Sequence, residues 1–325
     1  MSLLFLKPAL KETIWGGNRL RTDFKIETDL KNIAEAWVLS CHEDGESTID
    51  GGEFDGKTLS HVLEKEIGMS ALGTNCEGYD KIEDFPILIK LIDADDKLSV
   101  QVHPDDEYAA ANEKDVRGKT EAWYIIDCDD DAELIYGFND DLSKEEFRAA
   151  IENGTLLEKV NTTKVKPGDV AFISAGTLHA IGKGILLAEV QQSCNTTYRV
   201  FDYNRTGLDG RPRELHVNKA VDVTECTIPS ATLDPIGMPV KHDGYTSILL
   251  SECPYFTMSS IDVTALYADD ADETSFVSLV ILDGEGTIKC GDDEREFKKG
   301  DSIFIPADSG SFYVSGNAKI LHTKV

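Results

Sequence analysis

The sequence predicts a mainly β protein built as two jelly-roll barrels with a few short helices. Short β-rich runs punctuated by Gly, Pro and Asp turns extend along the chain, the usual signature of such barrels. A turn-and-strand pattern occurs twice, at residues 166–175 and 299–307. At 325 residues the chain is long enough for two domains, taking about 150 residues each as a guide. The expected division is residues 1–222, carrying the chemistry and the helices, and residues 223–325, a second barrel.

In order, residues 1–50 hold short strand-like runs around Phe5-Leu6, Trp15-Gly16-Gly17 and residues 35–40. Residues 59–72 place Leu59, Val62, Leu63 and Ile67 at helical spacing. Residues 85–92 are a continuous apolar run with Lys90 inside it, which reads as a buried strand. A lysine there is costly to desolvate unless its ammonium reaches a partner, a cavity or the sheet edge. In residues 98–104 the side chains alternate, so Val100 and Val102 face one way and Gln101 and His103 the other. A turn or two of helix is expected at 105–112. A strand follows from Gly118 to Ile126, with Glu121, Trp123 and Ile125 on one face. Residues 143–152 form a helix, opened by a Ser143/Glu146 capping box and closed by Gly154. After the turn at Gly168 and its strand comes His179 in a Gly-rich bend. The strand at 185–192 sets Leu187, Glu189 and Gln191 on one face, and Arg199 follows. Aligning Gly168 with Gly300 sets His179 against Ser311. The second copy therefore has the scaffold without the histidine, and only the first barrel is expected to hold metal.

Composition excludes several classes. Hydrophobic residues make up 41% and charged residues 28%, ordinary for a globular protein. The amino terminus reads as neither a secretory signal nor a membrane span, which predicts a cytoplasmic protein. Seven scattered cysteines with no Cys-x-x-Cys pair argue against a disulfide framework or a thiolate metal site. The net charge of −28, from 32 basic and 60 acidic residues, repels nucleic acid and anionic membranes. An anionic substrate would need a local cluster of Lys and Arg. The acidic run at 127–131 lacks the glycine and terminal glutamate of a calcium-binding EF-hand loop and reads as a solvated turn.

Gln101, His103, Glu121 and His179 together offer a mixed nitrogen and oxygen donor set. Such a set suits a first-row divalent ion, zinc foremost, with room for substrate if the ion becomes five-coordinate.

Gln101-x-His103-Pro104, Lys119-x-Glu121, residues 176–180 and Tyr198-Arg199 resemble type I mannose-6-phosphate isomerases, zinc enzymes of the cupin fold. Trp15-Gly16-Gly17, Glu35-Ala36-Trp37 and residues 210–216 add to a likeness that spans essentially the whole chain and follows the shorter bacterial form. The resemblance implies that Gln101, His103, Glu121 and His179 bind one zinc ion per chain, with Arg199 an active-site residue. It also puts Lys90, Lys119 and Glu189 in the substrate pocket and makes a small sugar phosphate the partner. Two departures stand out. Gly118 occupies a position that is histidine in longer members, and Asn195 replaces an aspartate found in many.

Aldose–ketose interconversion passes through an enediolate whose negative oxygens need stabilising. A divalent ion and the fixed charge of Arg199 suit that task. Lys90 and Lys119 would help hold the phosphate. Glu189 is a candidate base, with Lys119 or a water on the metal as alternatives, and Glu189 paired to a cation is the purely structural reading. Two other activities compete. One is a cupin that binds a sugar phosphate without turnover, as a sensor or a decayed paralogue. The other is a metal-dependent oxygenase, disfavoured because that chemistry usually takes three histidines. His42, His61, His216, His242 and His322 show no ligand pattern.

Overall fold

The computed structural model describes residues 3–79, 81–114, 117–230 and 232–325. The protein is mainly β, and every strand pairing that builds its site is antiparallel. A six-stranded sheet runs in the order Val170–Ile173, Glu121–Cys128, Ile185–Gln192, Ile87–Ala94, Glu35–Leu39, Ala9–Lys11. A five-stranded sheet runs Val160–Lys164, Glu133–Phe138, His179–Ile181, Val100–Val102, Tyr198–Phe201. The carboxyl-terminal strands belong to a ten-stranded sheet, which Leu4–Lys7 joins by pairing with Ser302–Ile305.

Alternation along each strand decides what the sheets bury. On one face of the six-stranded sheet Ala36, Leu91, Ala122, Ala188 and Val190 pack with Met258 and Val280 of the ten-stranded sheet and with Phe256 and Phe276, each just before one of its strands. The opposite face presents Trp123, Ile125, Ile92 and Leu187, which form a second core with Leu134, Tyr136 and Ile181 of the five-stranded sheet. Beyond that sheet Val100, Val102, Tyr198 and Val200 pack on Phe147 and Ala220 of the helices Lys144–Glu152 and Val217–Val223. Burial of this apolar area, at about 25 cal/mol per Å², is what holds the layers together.

The helix expected over 59–72 is broken. Thr58 caps Leu59–Val62, the chain widens into a π turn over Leu63–Ile67, and Gly68 at φ +87° separates it from the 3-10 turn Met69–Leu72. The Ser143/Glu146 capping box forms as expected. No disulfide joins the seven cysteines among the described residues. Among the described residues no helix is long and apolar enough to cross a membrane.

Candidate metal centre and substrate cavity

Register assembles the site. Glu189 lies opposite Lys90 on one side and Trp123 on the other, and Gln191 lies opposite Glu121. Directly paired residues and their i, i+2 neighbours share a face. Lys90, Glu121, Trp123 and Glu189 therefore point the same way from the six-stranded sheet. In the five-stranded sheet His179 pairs with Gln101, and Gln101 with Arg199. These three project from one face across three adjacent strands. His103 lies just past the strand end, and its carbonyl accepts from Gly176 N at 2.9 Å, tying the bend before His179 to the His103 segment. Gly176 has φ +85°, a conformation that favours glycine.

His103, Glu121 and His179 bring one ligand atom each within 4.8 Å of one another, and all three are buried. His103 Nε2 is 3.6 Å from Glu121 Oε2, and His179 Nε2 is 3.5 Å from Glu121 Oε1. A tetrahedral zinc site with ligand bonds of 2.0–2.2 Å separates its donor atoms by about 3.4 Å, so the spacing fits. The protonation pattern fits as well. His103 Nδ1 donates to Thr196 O and His179 Nδ1 donates to Thr177 O, each at 2.9 Å. A carbonyl only accepts, so each Nδ1 carries the proton and each Nε2 turns a lone pair toward the glutamate. Burial lowers the His103 imidazole well below the ordinary range and His179 to about 4, which keeps both neutral. Glu121 Oε1 is buried with no hydrogen-bond donor among the described residues. A lone pair facing an orphaned carboxylate oxygen calls for a cation between them.

The Gln101 amide nitrogen lies 3.5 Å from His179 Nε2. Amide orientation is assigned by hydrogen bonding, and a flip brings the carbonyl oxygen to the same point. Lys119 already supplies part of the positive charge, with Nζ 2.9 Å from Glu121 Oε2 and 3.2 Å from His103 Nε2.

Beside this cluster opens a cavity of about 350 Å³, lined by Gln101, Lys119, Lys90, Glu189 and Arg199 among others. Lys90 does not snorkel. It is 4% exposed, and its Nζ lies 2.9 Å from Glu189 Oε1 and 3.9 Å from Glu35 Oε2. Burial alone would lower this ammonium, but Glu189 and Glu35 outweigh it and raise it. Burial alone would raise the Glu189 carboxyl, yet Lys90 and Lys119 hold it down to about 2, and Trp123 Nε1 donates to it at 2.9 Å. Arg199 has no carboxylate partner among the described residues. Its Nε donates to Ser99 Oγ at 3.1 Å and its Nη1 to Glu214 O at 3.0 Å.

All eight site residues read from the sequence thus converge on one region. Missed were Glu35, Arg213 and His216, which also line the cavity. Their stretches figured in the family likeness, but nothing in their local pattern marks them. Both departures have local explanations. A Cβ at Gly118 would lie 2.5 Å from Asp105 C, so no larger residue fits this backbone path. Asn195 lines the cavity and donates to Asp44 Oδ2 at 2.8 Å.

Residues 3–141 match the type I phosphomannose isomerase catalytic-domain family, and residues 246–325 match the mannose-6-phosphate isomerase cupin-domain family. The chain is 41% identical to mannose-6-phosphate isomerase ManA of Bacillus subtilis, covering 98% of this chain and 97% of that protein. Over 98% of its length it is 36% identical to mannose-6-phosphate isomerase of Streptococcus mutans, covering 96% of that protein. The crystal structure of mannose 6-phosphate isomerase from Bacillus subtilis superposes with a TM-score of 0.90 at 37% identity, covering 100% of both chains. The apo form from Salmonella typhimurium shares the fold, with a TM-score of 0.76 at 18% identity over 99% of both chains.

Proposed function

The chain belongs to the type I mannose-6-phosphate isomerase family and is an isomerase, and from that premise we propose that it interconverts mannose 6-phosphate and fructose 6-phosphate with one zinc ion per chain. The observation that carries this reading is the convergence of His103, Glu121 and His179, with both Nδ1 protons tied to carbonyls, at the edge of a cavity carrying lysine and arginine. Gln101 completes the donor set. When bound, the zinc ion supplies Lewis-acid polarisation of substrate oxygens.

The remaining work falls to side chains. Removal of the C2 proton next to the carbonyl leaves an enediolate; a proton passes from the C2 oxygen to the C1 oxygen, and return of the carbon-bound proton at C1 completes the isomerisation. Glu189, which with Glu35 is a cavity carboxylate outside the donor set, is held ionised by Lys90 and Lys119 and takes the proton. Its pairing with Lys90 makes it a weak base in the resting site. Substrate hydroxyls that draw the Lys90 ammonium toward themselves would strengthen it during transfer. Lys119, between Glu121 and the cavity, donates to a substrate oxygen. Arg199 supplies fixed charge for the substrate's anionic groups.

Residues 1–222 and 223–325 are proposed as two cupin-type jelly rolls, the first holding the metal and the second none, with Leu4–Lys7 crossing over to the second. A cytoplasmic sugar-phosphate enzyme without nucleic-acid or membrane partners accords with the net charge of −28. Metal analysis together with a coupled assay for fructose 6-phosphate tests the proposal. Wild-type protein is expected to hold about one zinc and turn over, and His179→Ala to lose both. Stoichiometric zinc without turnover would favour a sugar-phosphate sensor instead.

A further inference from the structure

Three arginines gather at Asp202, which is 6% exposed, and they are not equivalent. Arg205 is tied on every side: Nε to Asp202 O, Nη2 to Asp202 Oδ1, and Nη1 to Asp96 Oδ2 and Lys97 O. Arg213 grips the same carboxylate with two nitrogens, Nε on Oδ2 at 2.7 Å and Nη2 on Oδ1 at 2.6 Å. That fork leaves Nη1 without an acceptor among the described residues, and Arg213 lines the cavity whereas Arg205 does not. Arg199, on the same cavity, likewise commits Nε and Nη1 to the protein and leaves Nη2.

Two guanidinium groups with one uncommitted nitrogen each therefore share a wall. They are close enough that Arg213, after burial, is the largest influence lowering Arg199. The charge balance is also telling. Asp96 and Asp202 serve Arg205 and Arg213, and Arg199 has no carboxylate of its own, so three arginines face two carboxylates and this wall keeps surplus positive charge in a chain of net −28. The two lysines offer no such surplus, since Lys90 is matched by Glu189 and Lys119 by Glu121.

We infer that Arg213 and Arg199 together form the subsite for the substrate's phosphate monoester, and that Asp202 is the positioning residue that aims Arg213 at it. This rests on the isomerase reading above and deepens it. The paired forks suit a tetrahedral dianion, which takes bidentate and bridging donors better than a single ammonium can supply them. The subsite lies in residues 142–245, outside both family-domain matches.

The test uses the zinc-loaded enzyme. Steady-state kinetics are measured with mannose 6-phosphate and with unphosphorylated mannose, and inorganic phosphate binding is followed by calorimetry. Arg213→Ala should raise KM for mannose 6-phosphate and Kd for phosphate by ~10- to 100-fold, as loss of a charge-assisted bond implies. The loss should fall on KM more than on kcat and be smaller with mannose, which lacks the phosphate, and the zinc content should be unchanged. Arg213→Lys should recover only part of the loss. Asp202→Asn should weaken phosphate binding in the same direction, but add nothing on an Arg213→Ala background. Asp202→Glu serves the same purpose should the asparagine variant not fold. An Arg213→Ala enzyme with unaltered KM and phosphate Kd would overturn the subsite. Additive losses in the double variant would overturn the positioning role. If wild-type enzyme bound phosphate through Arg213 yet isomerised nothing, the isomerase reading would fall while the subsite stood.

Discussion

The turn and strand at residues 166–175 and their counterpart at 298–307 share a backbone and its turn residues and differ in what surrounds them. Gly168 and Gly300 sit at φ +94° and +95°. Lys166 N donates to Asp169 Oδ2 at 3.0 Å, and Lys298 N donates to Asp301 Oδ2 at 2.8 Å. Gly168 N bonds to Ile125 O and Gly300 N to Ile281 O, both at 2.9 Å. Continuing in register, Ile173 lies opposite Glu121 and Ile305 opposite Val277. Eleven residues past each glycine stand His179, fully buried, and Ser311, exposed. Gln101, paired with His179, corresponds to Asp270, paired with Ser311. Turn chemistry thus specifies the scaffold, and a few inward positions decide whether it surrounds a polar centre or a dry core. Around the first copy the five-stranded sheet closes over Glu121, whereas Val277 merges into an apolar cluster with Leu279, Ile281, Ile303 and Ile305.

Exchanging the corresponding residues breaks the comparison most sharply. Glu121→Val gives the first copy the second's residue and removes the carboxylate between His103 and His179. Zinc content should fall to background, and kcat/KM should drop by ~1000-fold or more, since a polarising cation contributes several kcal/mol to such a transition state. Valine also strands the buried Lys119 ammonium without its carboxylate, so apo stability should fall by ~3–5 kcal/mol, and circular dichroism checks that the variant is folded when activity is read. Activity within tenfold of wild type would remove Glu121 from the site.

The reverse exchange reads out as stability. Val277→Glu puts a carboxyl among Leu279, Ile281 and Ile303, with no histidine pair to receive a metal. It should cost ~3–5 kcal/mol in chemical denaturation. A loss below about 1 kcal/mol would mean that this position is wetter than its surroundings indicate.

Acid should separate the two regions. In metal-free protein the His103 and His179 imidazoles are lowered by burial, His179 to about 4, and bind fewer protons folded than unfolded. Their contribution is present above the unfolded pKa of about 6.5 and is lost as pH falls toward 4. Glu121 opposes them in part. Burial and Glu189 raise its carboxyl, so the folded state takes up one proton there. Two histidines against one glutamate leave a net of about one proton, so stability should rise with pH by ~1 kcal/mol per unit between 5 and 6. In the second region burial alone would raise Asp269, but His322 and Lys324 hold it below the ordinary carboxylate range. Its contribution persists above about pH 4 and is lost only below that. All three tryptophans, at 15, 37 and 123, lie in the first region. Their fluorescence should report the pH 5–6 slope, while hydrogen exchange in residues 257–324 stays flat there. Parallel acid responses would show that the regions do not differ in this way.

How far the sequence could be read follows from the same contrast. Gln101 and His103 are legible as a pair because they alternate with Val100 and Val102, and Glu121 because it opens an apolar strand face, whereas His179 sits in a Gly-rich bend and joins them through the family resemblance. Arg213 and His216 lie in a segment without periodicity, where Asp202 rather than any regular element fixes the arginine. Glu35 was visible only as part of a strand, because its approach to Lys90 depends on the pairing of Glu35–Leu39 with Ile87–Ala94. The pairing of Leu4–Lys7 with Ser302–Ile305 joins opposite ends of the chain, and no local pattern encodes such a contact.

The smallest expected effect tests whether the matched turns are matched energetically. Alanine at Gly168 or Gly300 meets the same backbone penalty, because both residues occupy the left-handed region at nearly equal φ. That shared cost is ~1–2 kcal/mol. Their surroundings differ. A Cβ at Gly168 has nothing within 4 Å, whereas one at Gly300 would lie 2.6 Å from Phe24 O. Phe24 is buried and its oxygen belongs to the backbone, so relief requires moving the chain that follows helix Arg19–Thr22. Gly300→Ala should therefore cost ~1 kcal/mol more than Gly168→Ala, as overpacking of a closed site does. Paired urea denaturations measure the difference directly. Equal costs would mean that the chain around Phe24 yields freely, and that the second copy's turn is held no more tightly than the first.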